Sequence, residues 1–256
     1  MKKVLGTVTV LALSVSLLAG CGSTAASPVS SAASTAAEST TSSVVSETTS
    51  AAADENEAAA AQLLNDLTGS YQELWPVILA DEYKQTWLDD CTALVGEENA
   101  EAAFEKLSSM VTSDVYGEDA VEAYANGGGA YFCGFTNSLA TLTFDGETST
   151  ISGTDKDGNV LFSHTYHYIG MEPVHELYEF ESDDADSGEF TYFFLAPDIS
   201  AETYHIEFRY GSDAEALSQY DAGEYAYWVA SGISTDCDQT MIDNCIELFC
   251  TENLAG

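Results

Sequence analysis

Asp157-Gly158-Asn159-Val160-Leu161-Phe162-Ser163-His164-Thr165-Tyr166-His167-Tyr168 is the stretch on which the fold turns. Asp-Gly is the residue pair that a tight hairpin turn demands, because the glycine takes a positive φ without steric cost. The run after it is dense in aromatic and β-branched residues and carries no helix signal, so it reads as a strand, Val160 to Tyr168. Working outward, the same period-two texture recurs at Tyr131–Phe135, Leu139–Phe144, Leu177–Phe180, Phe190–Leu195 and Tyr204–Tyr210. Strands arriving about every ten residues, with turn chemistry and no helices between them, indicate an antiparallel meander or small barrel.

Upstream of Gly127-Gly128-Gly129 the period is helical. Ala58 to Leu67 has Ala and Leu at helix spacing with Gly69 as a stop signal. Tyr71, Leu74, Trp75 and Ile78 form a second apolar stripe, limited by Pro76. Trp87, Leu88, Cys91 and Leu94 form a third, ended by Gly96, and Ala102, Phe104, Leu107 and Met110 a fourth. A closing helix is predicted over Asp238–Cys250, with Thr235 or Asp236 as N-cap. The fold class is α+β: N-terminal helices, an antiparallel up-and-down β-barrel, and a C-terminal helix.

The beginning of the chain is of another kind. Lys2 and Lys3 precede an apolar run from Val4 to Ala19, then Gly20-Cys21. A basic start, a short apolar stretch and small residues before a cut site make a secretory signal peptide, too short for a permanent spanning helix. Leu18-Ala19-Gly20-Cys21 resembles the bacterial lipobox, whose cysteine is acylated and becomes the mature N-terminus. More than one acyl chain gives stable attachment, so Cys21 is expected to anchor the protein at the extracytoplasmic face of the cell membrane. Residues 22–53 are almost wholly Ser, Thr, Ala and Val, a composition with little to bury, and read as a disordered tether reaching roughly 30 Å. The organisation expected is a signal peptide over residues 1–20, a tether over 21–53 and one folded domain over 54–256.

Charge excludes whole classes of partner. All 43 acidic residues follow Cys21, whereas Lys2 and Lys3 leave with the signal, so the mature chain carries 4 basic side chains and a formal charge of −39. Such a field repels nucleic acid and anionic lipid and attracts cations without choosing among them. Cys91, Cys133, Cys237, Cys245 and Cys250 make an odd number in a compartment where disulfides are allowed, and their spacing leaves the pairing open. Cys245 and Cys250 also fit as small buried hydrophobes on the last helix.

Signatures of catalysis are absent: there is no HExxH, GxSxG, phosphate loop or GxGxxG, and the chain is read as a non-enzyme. Asp155-Lys156-Asp157-Gly158-Asn159 has its glycine two positions early for a calcium loop and reads as a turn. Ser182-Asp183-Asp184-Ala185-Asp186 reads as an acidic surface loop. His164 and His167, three apart on a strand, point to opposite faces. His205 and Glu207 are two apart, so they project from one face about 7 Å from each other, where one ion at about 2 Å from each ligand could bridge them. The alternative is that His205, Glu207 and Arg209 line the solvated face of a half-buried strand.

Two stretches resemble the ZinT (YodA) family of bacterial extracytoplasmic metal-binding, calycin-like domains, which also occur in zinc-uptake lipoproteins. Leu67-Thr68-Gly69-Ser70-Tyr71-Gln72-Glu73-Leu74-Trp75-Pro76 is similar to the family's opening pattern. His205-Ile206-Glu207-Phe208-Arg209-Tyr210-Gly211 resembles its His-x-His strand, and Phe190 to Pro197 the strand that carries a further ligand His. The resemblance spans roughly residues 58–249. It implies a calycin or lipocalin-like barrel that binds a divalent metal ion, zinc first, for capture or delivery to a metal-uptake transporter. The first ligand matches His205, the second is replaced by Glu207, and the third falls on Phe193, which cannot ligate. His175 or a further acidic residue is the candidate to complete the set, and Arg209 could instead pair with Glu207. The other reading implied is a degenerate barrel that takes a small organic ligand or a protein partner without metal.

Overall fold

The computed structural model describes residues 44–196 and 205–255, with side chains from Glu55 onward. The expected signal peptide, Cys21 and most of the tether lie outside the described residues. The first helix, α1 (Val44–Asp66), begins within the Ser/Thr/Ala-rich stretch. It leads into strand β1 (Gly69–Glu73), then α2 (Leu74–Ile78), α3 (Lys84–Val95), α4 (Glu97–Ser109) and α5 (Glu118–Ala125). Six strands follow, β2 (Thr141–Asp145), β3 (Thr150–Thr154), β4 (Val160–Met171), β5 (Tyr178–Ser182), β6 (Tyr192–Leu195) and β7 (His205–Gly211). A short helix, α6 (Ala214–Leu217), precedes β8 (Ala230–Ser234) and the C-terminal α7 (Gln239–Leu254).

All eight strands pair antiparallel with their sequence neighbours, and β1 pairs β8, so the sheet closes into an up-and-down barrel without an edge. The expected α+β class, with helices, then barrel, then helix, is the observed one. Tyr71 stands opposite both Leu142 and Ser234, which makes β1 the closing stave. The Tyr71–Ile78 stripe therefore divides into a strand and a one-turn helix. Pro76 sits in that helix's first turn, where its missing N–H costs nothing. β3 and β8 had no clear strand signal. Ser152-Gly153 and Ala230-Ser231-Gly232 are small residues of weak strand propensity, and pairing on both sides holds them as strands.

Tyr131–Phe135, by contrast, is no strand. Phe132 makes single bridges to Thr112 and Trp228, and the segment runs across one end of the barrel as a plug. Phe135 packs edge-on against Phe208 at 5.4 Å, its N–H donates to Glu73 Oε1 at 2.6 Å, and the Thr136 N–H donates to the Tyr210 hydroxyl. The other end is closed by α1, whose Leu63, Leu64 and Leu67 join the barrel core. Gly146 makes that seating possible, since a Cβ there would lie 2.4 Å from Asn65 Cα. The expected Asp157-Gly158 turn joins β3 to β4 with Gly158 at φ 81. A second core lies outside the barrel, where α2, α3, α4 and α7 pack around Trp87, Leu107 and Ile246 and against Ile233 of β8. The N-cap of α7 is Asp238, which accepts the Met241 N–H at 3.0 Å, two or three residues beyond the caps expected.

Candidate functional site

Strand β7 sorts its side chains by alternation. Ile206, Phe208 and Tyr210 face inward, with Phe208 and Tyr210 opposite Leu195 and Phe193 of β6. The lumen they share is aromatic: Phe193 is fully buried and lies 5.4 Å from the rings of both Tyr166 and Tyr210. His205, Glu207 and Arg209 occupy the opposite, outer face of the same strand. The structure thus keeps His205 and Glu207 together on one face and sets Phe193 on the other side of the barrel wall.

That outer face is covered rather than solvated. His205 is paired with Ile233, which belongs to the helical core, and Glu207 with Ser231. Both are half-buried. Protein atoms crowding the His205 imidazole push its pKa down to about 4, so the ring is neutral and keeps a lone pair at ordinary pH. Cys133 stands beside this pair. Its thiol is pushed far above its usual value, first by burial and then by the Glu207 carboxylate. Nothing in the sequence marked Cys133 as a neighbour, because it arrives on the plug segment.

Arg209, the chain's one arginine, is fully buried. Its guanidinium donates to the carbonyls of Leu217, Gln219 and Tyr225 and lies 4.2 Å over the Tyr220 ring. Burial lowers its pKa, and Tyr220, Tyr131 and Glu172 act in the opposite direction. The fork therefore pins the β7–β8 connection to the barrel wall. His175 packs at a tilt of 37° against the other partner of this group, 3.6 Å from the Tyr220 ring, with its Nδ1 3.4 Å from Glu172 Oε2. Buried Glu172 in turn accepts the N–H groups of Val174 and His175. His175 thus belongs to the Arg209 group, one ring away from the face that carries Glu207.

The remaining candidates are occupied locally. His164 Nδ1 meets Asp184 and His167 Nδ1 meets Asp183, each at 2.8 Å, on separate carboxylates as their opposite orientation requires. Asp155 binds the N–H groups of Asp157 and Asn159 and the Asn159 side chain, so it serves its own turn. The Asn159 amide accordingly holds the Asp155 carboxyl below its usual range. Among the described residues no three or more His, Cys, Asp or Glu side chains are gathered so as to hold one metal ion. The pair on β7 supplies two donors of different type, an imidazole and a carboxylate, both of which zinc accepts.

No helix among the described residues is long and apolar enough to cross a membrane. No family model and no curated protein matches the chain. Solved structures that resemble it include two from one organism. The Zn(II)-bound ZinT-like domain of Streptococcus pneumoniae AdcA is 15% identical, with a TM-score of 0.46, over 72% of this chain and 89% of that domain. Zn(II)-bound AdcA from the same organism is 14% identical, with a TM-score of 0.43, over 73% of this chain and 35% of its own. The chain is similar to a ZinT-like barrel, and spans about a third of the longer of the two.

Proposed function

We propose that this chain is a membrane-anchored, extracytoplasmic protein that binds a divalent metal ion, zinc first, through His205 and Glu207. The observation that carries the proposal is the placement of a neutral imidazole and a carboxylate on one covered face of β7. Two protein donors leave the other positions of a tetrahedral zinc to water or to donors of a partner, which suits capture and handover better than permanent storage. Cys21 would hold the domain at the membrane, and a metal-uptake transporter would be the recipient. The role is binding, not catalysis.

The test is a competition titration of the full chain against a zinc chelator, for the native protein and for His205→Ala and Glu207→Ala. The native protein should bind one zinc more tightly than about 10 μM, with at least a tenfold loss in each variant. Weaker binding by the native protein, or equal binding by His205→Ala with unchanged circular dichroism, overturns the assignment.

A second reading is favoured by one observation, the phenylalanine at position 193 among aromatic neighbours. In that reading the barrel has lost its metal and takes a small organic ligand or a protein partner. Native mass spectrometry of the purified chain separates the two: a co-purified organic ligand and no metal supports the second.

A further inference from the structure

Cys91 lies in the second half of α3 and Cys250 towards the end of α7, two helices packed side by side in the outer core. Both thiols are completely buried, and their sulfurs stand 3.9 Å apart. Aromatic side chains wall the surrounding core, with the Trp87 and Phe249 rings 5.9 Å from each other. Closing the gap to a sulfur–sulfur bond of about 2 Å asks for a movement of about 2 Å in all, within reach of small side-chain rotations on two adjacent helices. The positions are 159 apart in sequence, so nearly the whole barrel lies between them.

We propose that Cys91 and Cys250 form a disulfide when the chain folds under oxidising conditions, fastening the C-terminal helix to α3 and tying the two ends of the domain together. The oxidant is a disulfide, either of a thiol–disulfide oxidoreductase or of oxidised glutathione. One cysteine thiolate attacks it, forming a mixed disulfide and releasing one oxidant thiol. The second cysteine thiolate then attacks the mixed disulfide at the sulfur of the first, and the other oxidant thiol leaves. Two electrons pass to the oxidant, which ends as two thiols, and each cysteine gives up its proton.

Burial raises the pKa of both thiols in the folded chain, so the attacking thiolate is scarce there. The exchange therefore belongs to folding, before α3 and α7 close on each other. Once made, the bond is shielded from reductants by the same burial. The other cysteines among the described residues sit elsewhere: Cys133 beside Glu207 and Ser231, and Cys245 near Cys237 at the start of α7.

The proposal is tested on the full chain in two arms, one recovered from membranes without reductant and one refolded in a glutathione buffer. Free thiols are blocked with iodoacetamide in guanidinium, disulfides are then reduced, and the thiols released are labelled with N-ethylmaleimide. Peptide mapping should find the second label on Cys91 and Cys250, and an unreduced digest should contain the peptide that joins them. Reduction should lower Tm by about 5 °C or more, as expected for a cross-link closing a long loop in a domain of this size. Cys250→Ser should make Cys91 accessible to iodoacetamide without changing the label on Cys133. Iodoacetamide on both Cys91 and Cys250 in the refolded arm, or Cys250 joined to another cysteine, overturns it. The refolded arm stands whether or not the chain is exported or binds metal.

Discussion

Arg209 shows how one residue can change the meaning of its neighbours. In a chain with 43 acidic side chains an ion pair with Glu207, two positions away, is one of the pairings open to it. The structure spends the guanidinium's donors on the carbonyls of Leu217, Gln219 and Tyr225, and the buried Leu217 and Tyr225 would otherwise lack these hydrogens to accept. Arg209→Met should therefore leave several carbonyls unsatisfied and lower the unfolding free energy by about 3–5 kcal/mol, measured by urea denaturation. Arg209→Lys should recover only a minor part of it, because a single ammonium cannot span three acceptors. His205 is affected at the same scale. Its burial was invisible in sequence, where a His-x-Glu-x-Arg face reads as solvated, and it is that burial which pushes the imidazole pKa down and keeps the ring neutral even in mild acid.

At the scale of the element, β6 and β7 carry the argument. Alternation along β7 was legible, and so was the sharing of one face by His205 and Glu207. The relation between that face and Phe193 was not, because it depends on the register Phe193 opposite Tyr210. One consequence is specific. Phe193→His should not create or tighten a zinc site, since the new imidazole would point into the lumen while His205 and Glu207 point out. It should instead place a polar ring among Tyr166, Phe208 and Tyr210 and destabilise the fold by about 2–4 kcal/mol. Zinc titration and urea unfolding of the same variant check both halves. A gain of zinc affinity would mean that the inner face is the metal face. The strands that sequence passed over, β1, β3 and β8, share a cause: each is short, and two are built of small residues, so neighbours on both sides rather than local propensity hold them extended.

For the whole molecule, charge and closure dominate. A chain with a formal charge of −37 repels itself, and the compact state concentrates that repulsion more than the unfolded one. Raising sodium chloride from about 0.05 to about 0.5 M should therefore raise Tm, by a few degrees, as screening shortens the range of the repulsion. A fall in Tm would show that ion pairs outweigh the repulsion. What the sequence by itself determined is whatever depends on local chemistry: the lipobox and tether as expectations, the change from a helical period to a period of two, the Asp-Gly turn, and the pairing of His205 with Glu207 on one face. Tertiary structure alone decided which face looks into the barrel, that the Tyr131–Phe135 run plugs its end, that Arg209 serves three carbonyls, and that Cys91 meets Cys250 across 159 positions. The physical reason is common to all four. Each depends on which distant segment arrives beside a residue, and strand register and helix packing are set by the burial of whole faces, not by the residues next to it in the chain.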